Sequence, residues 1–106
     1  MTLPEPISAY FAAKNNRDID AMLVPFSAEA VVKDEGQEVR GLKKIRVWME
    51  ETTRKYGVTV KPTAITDDGG KSFVTALVSG NFPGSPAELR YAFTLRTGKI
   101  AALEIG

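Results

Sequence analysis

The sequence predicts an α+β fold, a single domain over residues 1–106 in which three helices precede a meander and cover one face of a curved, mostly antiparallel sheet. Three observations lead there: helical spacing of apolar residues in the first half of the chain, one early β-branched run between the second and third helices, and strand-like runs broken by turn pairs after Gly57. At 106 residues, 43% hydrophobic and 25% charged, the chain buries about two-thirds of its unfolded surface and needs no disulfide or metal to fold.

Leu3, Ile7, Tyr10 and Phe11 recur at three- and four-residue spacing, and Pro4 and Pro6 are tolerable only in a first turn, so residues 5 to 15 read as an amphipathic helix ended by Asn15-Asn16. Asp18 is a good N-cap for a short second helix in which Ile19, Met22 and Leu23 share a face, with Pro25 as its stop. The two form a helical hairpin. Ala30-Val31-Val32 then reads as a strand running into a loop at Lys33-Asp34-Glu35-Gly36. Residues 42 to 55 form the long helix: Leu42, Ile45, Trp48, Met49 and Thr52 face one side, Lys43, Lys44, Glu50, Glu51 and Arg54 the other, and Gly57 ends it. Strands follow at 58–66, 71–82, 87–96 and 99–105, separated by Asp67-Asp68-Gly69-Gly70, Pro83-Gly84-Ser85-Pro86 and Thr97-Gly98. In the third of these, Leu89, Tyr91, Phe93 and Leu95 alternate with Arg90, Ala92, Thr94 and Arg96, which gives the sheet an apolar inside. A bulge at Ser79-Gly80 or in the Pro83 loop would change register, so the side taken by Asn81, Arg90 and Glu104 stays open.

The residue inventory removes whole classes of chemistry. With Cys 0 and His 0 there are no disulfides, zinc thiolates, cysteine nucleophiles, Ser-His-Asp triads or histidine metal sites, so acid–base work falls to Asp, Glu, Tyr or Lys. Fourteen Lys plus Arg against thirteen Asp plus Glu give a net charge of +1, not the basic excess that nucleic-acid binding requires. No apolar run suits a membrane span, the first residues lack a basic n-region and an apolar h-region, and a cytoplasmic protein is expected. Gly69-Gly70-Lys71-Ser72 resembles the tail of a phosphate loop, but position 65 is Ile and a strand follows, so it reads as a hairpin turn. Asp67-Asp68 completes no metal-ligand set, and Lys43, Lys44 and Arg46 read as a solvated face paired with Glu50 and Glu51 one turn on.

The order of elements and several strings resemble the SnoaL-like proteins of the nuclear-transport-factor-2-like superfamily, which includes ketosteroid isomerase. The carriers are Asn16-Arg17-Asp18-Ile19-Asp20, Phe26-Ser27-Ala28-Glu29-Ala30-Val31-Val32-Lys33-Asp34, Arg40-Gly41-Leu42-Lys43-Lys44-Ile45-Arg46-Val47-Trp48 and Gly98-Lys99-Ile100-Ala101-Ala102-Leu103-Glu104-Ile105. The resemblance implies a cone-shaped barrel with a small, mostly apolar pocket between sheet and helices, and a homodimer paired through the outer sheet face. The superfamily holds ketosteroid isomerase, polyketide cyclases, scytalone dehydratase, limonene epoxide hydrolase and non-catalytic binding or dimerisation modules, so the fold leaves the function open.

In the ketosteroid-isomerase-like members a tyrosine on the first helix and an aspartate at the end of the first strand face each other across the pocket, and the resemblance carries these onto Tyr10 and Asp34. Where those isomerases use a protonated aspartate from the penultimate strand, this chain offers Tyr91. A carboxylate in an apolar pocket is a better base near neutrality, and two tyrosine hydroxyls could donate to the oxyanion of an enolate formed as Asp34 removes a proton α to a carbonyl. Trp48, Phe73, Phe93 and Asn81 are the expected lining residues, and the ligand is a small apolar or carbonyl-containing molecule handled without a metal or organic cofactor. Beside this stand plainer readings: Asp34 as an exposed turn residue before Glu35-Gly36, and Tyr10 and Tyr91 as core. A hydrolase or dehydratase is a further alternative; of the Asp-Arg-Asp set of the epoxide hydrolases, only one carboxylate can be placed.

Overall fold

A computed structural model describes residues 1–106, with α1 (Glu5–Asn15), α2 (Ile19–Leu23), β1 (Phe26–Asp34), β2 (Gln37–Arg40), α3 (Leu42–Tyr56), β3 (Thr59–Asp68), β4 (Lys71–Ser79), β5 (Ala87–Arg96) and β6 (Lys99–Ile105). Pro6 falls in the first turn of α1, where its missing N–H has no intrahelical partner to lose. The Asp18 carboxylate accepts from the Ala21 N–H at 3.1 Å and caps α2 as its position predicts. At the end of α3, Gly57 adopts the left-handed conformation (φ 54°), and its N–H reaches the Thr53 carbonyl at 2.9 Å.

The six strands form one open sheet in the order β2-β1-β6-β5-β4-β3, with β1 parallel to β6 and every other pair antiparallel. β3 to β6 are the expected meander; β2 was not expected. Its four residues, Gln37, Glu38, Val39 and Arg40, carry no apolar alternation, and it forms because the Glu35-Gly36 turn folds it back on β1. β4 ends at Ser79, three residues before the predicted boundary. The chain turns there against the end of α3: a Cβ on Gly80 would lie 2.8 Å from the Tyr56 carbonyl oxygen, and the Asn81 N–H donates to that same oxygen at 2.8 Å.

Alternation places Ser72, Val74, Ala76 and Val78 of β4 and Tyr91 and Phe93 of β5 on the inner face, opposite Ile7, Tyr10 and Phe11 of α1, Met22 of α2 and Ile45, Trp48 and Met49 of α3. Register shifts lie between Phe26 and Val31, between Pro62 and Ala64, and between Thr94 and Leu95, away from the Ser79-Gly80 and Pro83 segments. The last shift lets Ile100 and Leu103, three residues apart, both turn inward, and such bulges bend the sheet around the helices. On the free edge of β3 the Asn15 side chain serves as a substitute strand, donating to the Val60 carbonyl at 2.9 Å and accepting from the Val60 N–H at 2.8 Å. The basic face of α3 departs from expectation. Arg46 pairs with Asp20 of α2 at 2.6 Å, and neither Lys43 nor Lys44 pairs with Glu50 or Glu51.

Candidate functional site

Asp34 is the last residue of β1 and follows Ala30 and Val32 on the inward parity of that strand. The turn after it consists of Glu35 (φ 52°) and Gly36 (φ 75°), the two-residue left-handed turn whose twist suits a hairpin, and Asp34 pairs directly with Gln37. Asp34 is therefore a half-buried strand residue, not a member of the exposed turn. The Trp48 indole N–H of α3 donates to its Oδ2 at 3.1 Å. Burial pushes the Asp34 carboxyl above its usual range, and the Glu35 charge adds to the rise; the Trp48 hydrogen bond, the Lys14 charge and the Glu35 N–H oppose it.

Tyr10 is fully buried in a nest of rings: Phe11 at 5.4 Å, Phe26 at 5.5 Å and Phe93 at 6.0 Å between centroids. Its hydroxyl is buried and has no hydrogen-bond partner. Leaving such a group unpaired costs roughly 1–3 kcal/mol, which marks the position as one to explain. Tyr91 packs edge-on to Phe11 at 5.1 Å and stacks on Phe93 at 6.3 Å. Burial raises the pKa of both phenols; the Tyr91 and Asp34 charges raise that of Tyr10 further, and the Asp34 charge raises that of Tyr91.

A fourth member was not anticipated. Lys14 lies one helical turn beyond Tyr10, is only 7% exposed, and holds its Nζ 6.0 Å from the centre of the Tyr10 ring. It joins none of the chain's ion pairs. Burial lowers its pKa from the usual 10.5 to about 8, with the Asp34 charge opposing and the Arg17 charge assisting. The signal was present in the sequence: a lysine four residues after Tyr10 falls on the same apolar stripe as Ile7 and Phe11.

Of the expected lining residues, Trp48 and Phe93 are on the inner face, whereas Phe73 and Asn81 are not. Because Ser72 and Val74 point inward, Phe73 must point outward, where the Arg90 guanidinium lies 4.1 Å from its ring centre. Asn81 is exposed in the loop after β4. Arg90 and Glu104 also take the outer face, paired opposite Thr75 and Ala92.

The space between sheet and helices, expected to hold an apolar pocket, is occupied by the rings of Tyr10, Phe11, Phe26, Tyr91 and Phe93. A cleft of about 350 Å³ opens instead at the end of the β1–β2 hairpin, lined by residues 33–38, Glu104 and Ile105. Asp34 is thus in its wall and also within the field of the buried tyrosines and Lys14. A smaller hollow of about 90 Å³ lies over the outer face, between Val31, Lys71, Ala92, Thr94 and Ala102. No helix is long and apolar enough to cross a membrane.

Comparison with known proteins agrees with this architecture. A "putative polyketide cyclase" from Sinorhizobium meliloti is 41% identical and superposes with a TM-score of 0.94, over 98% of this chain and 95% of that one. A protein of ketosteroid-isomerase-like fold from Catenulispora acidiphila, solved with trimethylamine, is 22% identical with a TM-score of 0.85, over 99% and 86% of the two chains. A second structure with the cyclase designation, from Xanthomonas campestris, is 19% identical with a TM-score of 0.81, over 95% and 86%. No curated protein matches the chain. The SnoaL-like domain family matches residues 7–103, a span that includes Tyr10, Lys14, Asp34, Trp48 and Tyr91, and the chain belongs to that family.

Proposed function

We propose that the protein is a cofactor-independent isomerase or cyclase that removes a proton α to a carbonyl, with Asp34 as base. The observation that carries this reading is the position of Asp34: half-buried, tethered by the Trp48 N–H, raised in pKa by burial, and in the wall of an open cleft. In the step, the C–H bond breaks, the proton passes to the carboxylate, and the electron pair moves onto the carbonyl oxygen. The Tyr10 hydroxyl, buried and without an acceptor, is the group available to receive that charge, with Tyr91 beside it. The enolate then takes a proton at another carbon, or attacks a second carbonyl and closes a ring. The designation of the Sinorhizobium meliloti relative favours the ring-closing outcome.

The test is Asp34→Asn. A positioned base supplies about 10²–10⁴-fold, so turnover of an enolisable ketone should fall by that factor while ligand-induced thermal stabilisation persists. A mutant as active as its parent ends the reading. The filled interior favours a second reading, a non-catalytic ligand-binding or dimerisation module; for it, a ketone and epoxide panel gives saturable binding and no turnover. The outer sheet face, with Leu77 exposed and Phe73 under Arg90, is the surface on which we place a homodimer contact.

A further inference from the structure

Asp34 and Glu35, where β1 enters its turn, are each tied to α3. Trp48 holds the Asp34 carboxylate, and about two helical turns further along α3 the Tyr56 hydroxyl donates to Glu35 Oε1 at 2.8 Å. Tyr56 is itself fixed at both ends: its backbone carbonyl accepts from the Asn81 N–H at 2.8 Å, and its ring stands edge-on to that of Phe82 at 6.3 Å between centroids. The second tether therefore runs from the chain beyond β4, through the last residue of α3, to the wall of the cleft, which Glu35 lines beside Asp34. Glu35 is an uncommon residue for its place. The first position of a left-handed hairpin turn favours Asn, Asp or Gly, and a glutamate held there at φ 52° strains the backbone. Its side-chain partner is Tyr56.

We propose that Tyr56 is a positioning residue: through Glu35 it pins the β1–β2 turn to α3 and so holds the Asp34 carboxylate at one place in the cleft wall. Without it the turn is fastened by strand pairing alone, which closes at the Asp34–Gln37 pair, and Trp48 has to hold the carboxylate by itself. The end of a hairpin swings about its last paired residues, and a base displaced by about 1 Å loses much of its rate. Because the Tyr56–Glu35 hydrogen bond is exposed to solvent, it restricts that motion in part, and the loss on removing it is modest. The effect on rate rests on the enolising reading of Asp34; the effect on the Trp48 bond rests on geometry alone.

Trp48 is the only tryptophan, so its indole N–H gives a single NMR resonance that reads the bond to Asp34 directly. Solvent exchange of that proton, and kcat and KM for deuterium loss from α-deuterated cyclohexanone, are measured in the parent, Tyr56→Phe, Glu35→Gly, Glu35→Gln and the Tyr56→Phe/Glu35→Gly double mutant, with Asp34→Ala as the reference for a free indole. Tyr56→Phe keeps the ring against Phe82, and Glu35→Gly suits the backbone of the turn, so neither change takes packing from the fold. Each should speed indole exchange and lower kcat by roughly three- to tenfold with KM unchanged, and the double mutant should lose no more than either. Glu35→Gln, which keeps an oxygen for the hydroxyl, should recover part of the loss. Indole exchange at the parent rate in Tyr56→Phe, losses that multiply in the double mutant, a change confined to KM, or Glu35→Gln as impaired as Glu35→Gly would each overturn the assignment. Equal turnover in the parent and Asp34→Asn ends the enolising reading instead, and the indole signal then decides the tether.

Discussion

Replacing Lys14 by methionine should make the protein more stable, although a buried side chain is being changed. In the folded chain Lys14 releases its proton near pH 8, against 10.5 when solvated. The difference of 2.5 units, at 1.36 kcal/mol each, puts the burden of keeping the ammonium folded near 3 kcal/mol below pH 8. Between those two values the unfolded chain binds more protons than the folded one, so stability rises with pH as the burden is relieved. Lys14→Met lacks this term, which is already net of the attraction to Asp34, and keeps the apolar stem, which leaves a gain of about 1–3 kcal/mol at pH 7. For a domain of this size that is a rise in Tm of roughly 4–15 °C. Thermal melts of both proteins from pH 6.5 to 9.5 are the assay, and the gap should be widest below pH 8 and narrow above it. The titrations of Tyr10 and Tyr91 are common to both proteins and cancel in the difference. A mutant less stable than the parent at pH 7, or a gap that ignores pH, refutes the reasoning.

Tyr10→Phe removes a buried hydroxyl with no partner, so stability should hold or rise by about 1 kcal/mol in denaturant titration, while turnover falls about 10²–10³-fold. Trp48→Phe deletes the hydrogen bond that favours the Asp34 carboxylate; the acid limb of the rate profile should move to higher pH, and an unmoved limb would remove Trp48 from the account. Asp18→Ala takes the cap from α2 and should cost about 1 kcal/mol in a chemical melt.

Much of the architecture was legible because local rules and tertiary structure agree. Prolines head α1, Asp18 caps α2, Gly57 ends α3, and turn pairs punctuate the meander. β2 was hidden because an exposed edge strand needs no apolar pattern, only a turn that returns it to β1. Phe73 and Asn81 were misplaced for different reasons. The inward parity of β4 is set by Val74, Ala76 and Val78, which forces Phe73 outward, and the close approach of Gly80 to Tyr56 ends the strand before Asn81. The pairing of Asp34 with Trp48 joins β1 to α3, and no local pattern reveals a hydrogen bond between separate elements. Lys14 does not stand out in the sequence because a charged residue on a helix is ordinarily a solvated one, even on an apolar stripe.

The most direct test of the central claim is the pH dependence of α-proton exchange. Deuterium loss from an enolisable ketone is followed by NMR from pH 4 to 9 with the parent and Asp34→Asn. The account predicts exchange that rises through an inflection above the usual carboxylate range, as burial of Asp34 requires, and that disappears in Asp34→Asn. Exchange in the parent no faster than in buffer, or an identical profile in the mutant, would contradict it.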